Sequence, residues 1–289
     1  MASARLVKDI IGDQMAALTR SERQLASILL QDYPMAGLQT ITKLAAAAQV
    51  STPTVIRMAR KLGFDGFPDL QEALRHEVAE KIKTPMSRRD AWSGANPSEH
   101  ALSRFADAVF ANLRHTLDRV DTAMFDAVAR LLADPARRIH VVGGRITRSN
   151  ADYLFNHLQI IRPHVTLLGN STNVWPQYLL DMDAGAVLVI FDIRRYEAPL
   201  EKLADLAAAR GCTVVLFTDQ WGSPIERVAE FTFRGLVDVP SSWDSTMALS
   251  LIVEALIAEV QNARWEDSRD RIEALEAMLS STRLFRSPG

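Results

Sequence analysis

Val50-Ser-Thr-Pro-Thr-Val-Ile-Arg-Met-Ala-Arg-Lys-Leu-Gly-Phe-Asp-Gly-Phe67 is the stretch whose reading decides the fold. It predicts a short helix with a prepared start and stop. Ser51 or Thr52 offers an oxygen to the first free amides, and Pro53 fits a first turn that has no hydrogen bond to lose. Val55, Ala59 and Leu62 recur at helical spacing and form a core face, and Gly63 is suited to the left-handed turn that ends a helix. The opposite face carries Thr54, Arg57, Arg60 and Lys61, three cations with no acid on the same helix. Just upstream, Ile41-Thr-Lys-Leu-Ala-Ala-Ala-Ala-Gln49 predicts a compact alanine-rich helix joined by a tight step. Two short helices joined in this way make a helix-turn-helix, with the second entering the DNA groove. Lys43, Ser51, Thr52, Thr54, Arg57, Arg60 and Lys61 are the candidate DNA contacts. The alternative is a solvated charged face on an ordinary bundle.

Outward from this hairpin, Leu6 to Ala17 is amphipathic. Thr19-Arg-Ser-Glu22 has capping-box spacing before an apolar run that Pro34 ends. A further helix spans Asp69 to about Lys83, giving five helices in a module over residues 1–83. Residues 84–98 hold Pro, Gly, Ser and Asn without periodicity and read as a linker. Residues 99–289 start with two helices and then change character. Short, continuously apolar strands at 139–143, 165–168, 186–191 and 212–218, with a possible fifth at 231–233, alternate with helices. The last two helices are expected at 242–261 and 267–280. That alternation predicts a parallel sheet covered on both faces.

Composition sets limits. The chain has 289 residues and a net charge of −2, a poor match to a nucleic-acid binder taken as a whole. The first 85 residues hold eleven Lys and Arg against nine Asp and Glu, and the remainder 22 against 26, so the halves tilt to +2 and −4. One cysteine, Cys212, cannot form an internal disulfide. The first ten residues carry charge rather than a secretion signal, and the longest apolar run is too short to span a membrane. The expectation is a cytoplasmic protein.

Ligands of an open parallel sheet bind beyond the carboxyl ends of its strands. The loops there hold Arg145 and Thr147, then Asp192, Arg194, Arg195 and Tyr196, then Ser223, together with Asp219 and Gln220. Hydroxyls, guanidinium groups and helix starts suit an anion such as a carboxylate or phosphate; the alternative is plain solvated loop ends. Gly143-Gly144 lacks the dinucleotide fingerprint. The six histidines are dispersed, so no metal, no cofactor and no catalytic constellation is expected. Cys212 reads as a buried strand residue.

The pattern Leu18-Thr-x-Ser-Glu-x-x-Leu-Ala, Ile41-x-x-Leu-Ala and Val50-Ser-x-x-Thr-Val-x-Arg-x-x-Arg-Lys-Leu-Gly-Phe-x-Gly-Phe67 resembles the amino-terminal domain of the RpiR family of bacterial transcription regulators. Residues 139–260 resemble that family's second half, a sugar isomerase (SIS) domain. The resemblance implies an all-α helix-turn-helix domain followed by an α/β SIS domain, a five-stranded parallel sheet flanked by helices. It also implies a dimer, with a tetramer left open, that binds an operator and senses a small effector without catalysis. The departures are local. The family's Gly-x-Gly-x-Ser loop is here Gly143-Gly-Arg-Ile-Thr147, and its Ser-x-Ser-Gly-x-Thr is here Phe191-Asp-Ile-Arg-Arg-Tyr196. Two guanidinium groups thus replace small hydroxyls, which points to a sugar acid or other carboxylate as effector, or to a domain that only assembles oligomers. The runner-up is a sugar-phosphate isomerase fused to a helical domain, with Glu197 or Glu254 as base.

Overall fold

The computed structural model describes residues 6–93 and 100–282. They form two compact units, Met1–Ala91 and Trp92–Gly289.

The first unit is all helical: α1 (Val7–Gln14), α2 (Arg20–Gln31), α3 (Met35–Leu38), α4 (Ile41–Ala47), α5 (Thr52–Lys61), α6 (Phe67–Ile82) and α7 (Pro85–Ser93). The capping box is formed. The Thr19 amide donates to Glu22 Oε2 at 2.7 Å, and the Glu22 amide donates to Thr19 Oγ1 at 3.4 Å. Thr40 caps α4 by accepting the Lys43 amide at 3.3 Å. Gln49 turns left-handed, with φ of 52°, so the step from α4 to α5 is tight. Gly63, with φ of 95°, ends α5, and the Phe64 amide folds back to the Ala59 carbonyl at 3.0 Å. Val55, Ala59 and Leu62 are buried as their spacing predicts, joined by Met58, against Leu25, Leu44 and Leu70.

Two details depart from the sequence reading. The short helix α3 was not expected; a Cβ on its Gly37 would sit 2.3 Å from Leu74 Cδ1, so glycine lets it pack close. The stretch read as a linker, 84–98, is helical over Pro85–Ser93, where Thr84 and Ser87 exchange side-chain and backbone hydrogen bonds at the helix start. Residues 94–98 of that stretch lie outside the described residues.

The second unit begins with α8 (Ala101–Leu117) and α9 (Thr122–Ala133). Then follow β1 (Arg138–Gly143), α10 (Arg148–Ile161), β2 (Val165–Leu167), α11 (Trp175–Leu179), β3 (Ala186–Phe191), α12 (Ala198–Ala209), β4 (Thr213–Asp219), β5 (Phe231–Gly235), α13 (Met247–Ala263) and α14 (Trp265–Thr282). All five strands are parallel, in the order β2-β1-β3-β4-β5. One core lies between the sheet and α9, α10 and α13, where Phe191, Phe217 and Phe233 stack with centroids 4.6 and 4.9 Å apart. The other lies beneath α11 and α12. Helix α13 starts at Met247, five residues later than expected, because Val237-Asp-Val-Pro-Ser-Ser-Trp-Asp244 stays irregular. Among the described residues no helix is long and apolar enough to cross a membrane.

Arg162 is the largest wholly buried side chain. Its guanidinium donates to the carbonyls of Leu132, at 2.5 Å, and of Arg137, and so ties the end of α9 and the approach to β1 to the end of α10. Burial lowers its pKa to about 10, aided by the nearby Arg264 charge. Arg162→Met should destabilise the protein by about 3 kcal/mol in denaturant unfolding, because buried carbonyls lose their donors. A loss below about 1 kcal/mol would mean the carbonyls find other partners.

Candidate functional site

Each unit presents one candidate site. On the first unit it is the outer face of α5. Lys43, Ser51, Arg57, Arg60 and Lys61 are exposed, Thr52 is half-buried and Thr54 is buried. The Ser51 side chain does not cap the helix. Its hydroxyl pairs with Thr54 Oγ1 at 2.9 Å, and Arg57 Nη2 donates to the same oxygen at 3.0 Å. Thr54 is therefore a bracket that holds Ser51 and Arg57 rather than an outward contact. Arg60 Nε reaches the Asp65 carbonyl at 3.3 Å and remains exposed.

Lys61 differs from what its helix alone suggests. Its ammonium donates to the Ala17 carbonyl at 2.6 Å and to Glu22 Oε2 at 3.0 Å, so an acid on α2 compensates it. Burial pushes the Glu22 carboxyl up, but the Thr19 amide and Lys61 outweigh this and hold it below its ordinary value. No acid lies within α5, which is why the sequence showed no partner for Lys61.

On the second unit the site lies where β1 and β3 run side by side and their connections leave in opposite directions, the switch point of the sheet. The loop after β1 is closed by Thr147, which accepts the Gly144 amide at 2.9 Å and donates to the Phe191 carbonyl at 2.6 Å. A Cβ on Gly143 would meet the Thr147 carbonyl oxygen at 2.5 Å, and one on Gly144 would meet Glu197 Oε1 at 2.8 Å. The paired glycines thus serve a tight turn and the approach of a carboxylate.

That approach matters because the amides at this switch point are already engaged. The Arg145 amide donates to Glu197 Oε1 at 2.6 Å. The Glu197 amide, at the start of α12, donates to Asp192 Oδ1 at 3.2 Å, and the Ser223 hydroxyl donates to Asp192 Oδ2 at 2.5 Å. Loop and helix-start amides of this kind are natural anion sites, and here the chain's own carboxylates fill them. Burial raises the Asp192 pKa to about 6, with Asp219 and Glu197 adding to the shift against its hydrogen bonds.

Arg194 is likewise committed. Its side chain is 4% exposed and bonds Asp244 at 2.7–3.2 Å and Asp238 at 2.5 Å, with the guanidinium 3.9 Å from the Trp221 ring centre. Although burial opposes its charge, these two carboxylates raise its pKa and keep it ionised. The wholly buried Asp219 accepts the Arg194 amide at 2.7 Å, the Tyr196 hydroxyl at 2.8 Å and the Trp221 amide at 3.0 Å. Gln220 bridges Asp238, at 2.7 Å, and the Val237 amide, at 3.2 Å.

Of the expected effector residues, Thr147, Asp192, Arg194, Tyr196 and Ser223 converge in this network, while the side chains of Arg145 and Arg195 are exposed. The expectation that Arg194 offers a free guanidinium to an anion is corrected by its two acid partners. The sequence reading puts Asp244 inside a helix at 242–261, although Pro240-Ser-Ser carries a loop signal, and gives Asp238, between the fifth strand and that helix, no role. Glu254, the second candidate base of the isomerase alternative, is exposed on α13. Cys212 is buried, and burial pushes its thiol up to about 12. Among the described residues no group of three or more His, Cys, Asp or Glu side chains is arranged to hold a metal.

The titration of Asp192 is open to measurement. The folded protein keeps this proton to a higher pH than the unfolded chain, so its contribution to stability is full below about 4 and is lost as pH rises to about 6. A shift of that size corresponds to about 3 kcal/mol. Asp192→Asn should remove this fall from the stability–pH curve measured by urea unfolding, and an unchanged slope would assign the titration elsewhere.

Comparison with known proteins places the two units. Residues 6–81 match the helix-turn-helix domain of the rpiR family, and residues 132–259 match the SIS domain. An HTH-type transcriptional regulator of Haemophilus influenzae is 26% identical over 80% of both chains. The HTH-type transcriptional regulator HexR of Escherichia coli is 25% identical over 94% of both. In structure, the sugar isomerase domain of an RpiR transcription factor from Sphaerobacter thermophilus matches 62% of this chain and 99% of its own (TM-score 0.59, 19% identity). The NanR protein of Vibrio vulnificus, complexed with ManNAc-6P, matches 96% and 98% (TM-score 0.56, 17% identity). With both domains matched in order and full-length relatives that are HTH-type transcriptional regulators, the chain belongs to the RpiR family of transcriptional regulators.

Proposed function

We propose that this regulator binds a palindromic operator as a homodimer through α5 and releases or tightens it when a sugar-derived carboxylate occupies the SIS unit. The observation that carries the DNA half is the Arg57 guanidinium, exposed and held by Thr54 on a helix that has no acid of its own. Arg57 reads a base edge or a phosphate, and Arg60 and Lys43 supply further phosphate contacts. Ser51 and Thr52 stand at the amino end of α5, the part of a recognition helix that meets bases. Reading helices in a two-fold dimer stand about 34 Å apart, one turn of DNA.

The effector half rests on the switch-point loops. NanR is complexed with a phosphorylated sugar, which supports a sugar-derived ligand for the shared fold. In this chain Asp192 and Glu197 hold the amides that suit a phosphate. The anionic end of the effector therefore meets the exposed Arg145 and Arg195 at the rim, and its hydroxyls meet the Tyr196 and Ser223 side. A carboxylate, with one charge, suits two solvated guanidinium groups better than a dianion set against the cluster's acids. The reading is non-catalytic, which is supported by Glu197 being tied to the Arg145 amide and by the exposure of Glu254 on α13.

Two measurements test these halves separately. In operator binding at fixed salt, Arg57→Ala should weaken affinity by about tenfold or more and reduce the salt slope by about one. Lys61→Met should instead lower stability and leave affinity nearly intact, and unchanged binding for Arg57→Ala would sink the DNA assignment. In a thermal-shift series, gluconate and galactonate should stabilise the protein by about 2–3 kcal/mol at saturating excess, more than glucose 6-phosphate does. Replacing Arg145 and Arg195 together by alanine should abolish the shift, and a larger response to the phosphate would refute the carboxylate preference.

A further inference from the structure

The sheet carries a second polar recess that shares no residue with the switch-point network. His140 lies three residues before the end of β1, in register with Thr166 of β2 and Leu188 of β3. It shares its face with Val142, which packs into the core beneath α11 and α12. Beside His140 the face opens instead into a cleft of about 510 Å³, lined by Arg138, His140, His164, Thr166, Leu180 and Asp181. A volume of this order matches small-molecule sites.

The chemistry of the lining is unusual for a strand interior. His140 is only 6% exposed, yet neither ring nitrogen has a hydrogen-bond partner. Arg138 Nε is buried without a partner as well, while its Nη2 is anchored to Asp183 Oδ1 at 2.6 Å. A buried polar group left unpaired by its own chain costs stability, and Val or Ile would fill this strand position at no such cost. Burial and the Arg138 charge hold the imidazole neutral against the pull of Asp181. It therefore offers one donor and one acceptor.

We propose that this cleft is a second ligand site, which takes a neutral, polyhydroxylated molecule of the size of a monosaccharide or sugar alcohol. Hydroxyls both donate and accept, so one ligand satisfies the two imidazole nitrogens, the Arg138 Nε–H, the Thr166 hydroxyl and the Asp181 carboxylate. Leu180, 74% exposed, gives the apolar patch against which a sugar ring packs. Arg138 pairs with Asp183 and leaves the Asp181 carboxylate unbalanced at the rim, which turns away anions. Both imidazole nitrogens and Arg138 Nε are buried, so a ligand reaches them when the turn 180–183 moves aside, pivoting on Met182, which is anchored in the core. The inference does not depend on the switch-point reading, since the ligand class and every contact differ.

The test is calorimetric titration of the full chain with glucose, mannose, galactose and glucitol, with gluconate and glucose 6-phosphate alongside. At least one neutral compound should bind with Kd below about 10 mM. His140→Leu should weaken that binding about tenfold or more while the melting temperature stays at or above the wild-type value, since the change removes an unpaired buried imidazole. Asp181→Asn, at an exposed position, should weaken it about threefold. Ser223→Ala, in the switch-point network, should leave it unchanged. No binding by any neutral compound, or equal binding by His140→Leu and Asp181→Asn, would overturn the proposal. So would concentration-dependent hydrogen-exchange protection of 164–166 and 180–183 in the free protein, which would mark the cleft as a contact between copies.

Discussion

A guanidinium removed from water must be met by hydrogen-bond acceptors: backbone carbonyls meet Arg162, and carboxylates meet Arg194, around which the loops at the end of the sheet are arranged. Its partners Asp238 and Asp244 come from the irregular segment between β5 and α13. That segment forgoes helix to present them. Asp219, at the end of β4, receives the Arg194 amide and the Tyr196 hydroxyl and so fixes the loop after β3 to its neighbour. Removing one member of a buried set of this kind strands a charge, which costs far more than the set contributes when complete. The loops at the carboxyl end of the sheet are therefore one body, and a ligand arriving there meets a surface that is already braced.

Much of this was legible in the sequence, and the boundary between what was and was not is physical. Helices α2, α4 and α5 announced themselves because their signals are local: a capping threonine, an apolar repeat, a glycine stop. The strands were equally plain, since continuous apolar runs such as Ala186–Phe191 have no other home than a covered sheet. The site was only half legible. Residue positions beyond the strand ends follow from topology, but the partner of each charge does not. Arg194 read as an open cation because Asp238 and Asp244 stand more than forty positions away in sequence. Lys61 read as uncompensated because Glu22 lies on another helix. Pairing across distance is a property of the fold, and no periodicity encodes it.

The same gap explains the switch point. Read as text, the exchange of small hydroxyls for Asp192, Arg194, Arg195 and Tyr196 looks like a gain of positive charge. In space it is a gain of internal carboxylate contacts, since Asp192 and Glu197 take the loop amides and Arg194 is neutralised by acids. Of the basic residues on these two loops, Arg145 and Arg195 are left exposed, so the count of basic residues overstates the positive charge offered to solvent.

Under the proposed reading of α5, the bracket formed by Ser51, Thr54 and Arg57 bears on the speed of DNA binding as well as its affinity. A long side chain free to sample many rotamers must be immobilised at each encounter with DNA, and wrong encounters benefit from its adaptability as much as right ones do. An arginine already leaning on a buried threonine has fewer shapes to lose and fewer to offer a mismatched sequence. If Arg57 contacts the operator as proposed, its discrimination arises before the complex is complete: sites that fit dock directly, and sites that do not are left quickly, which shortens the search along a genome made almost wholly of wrong sites.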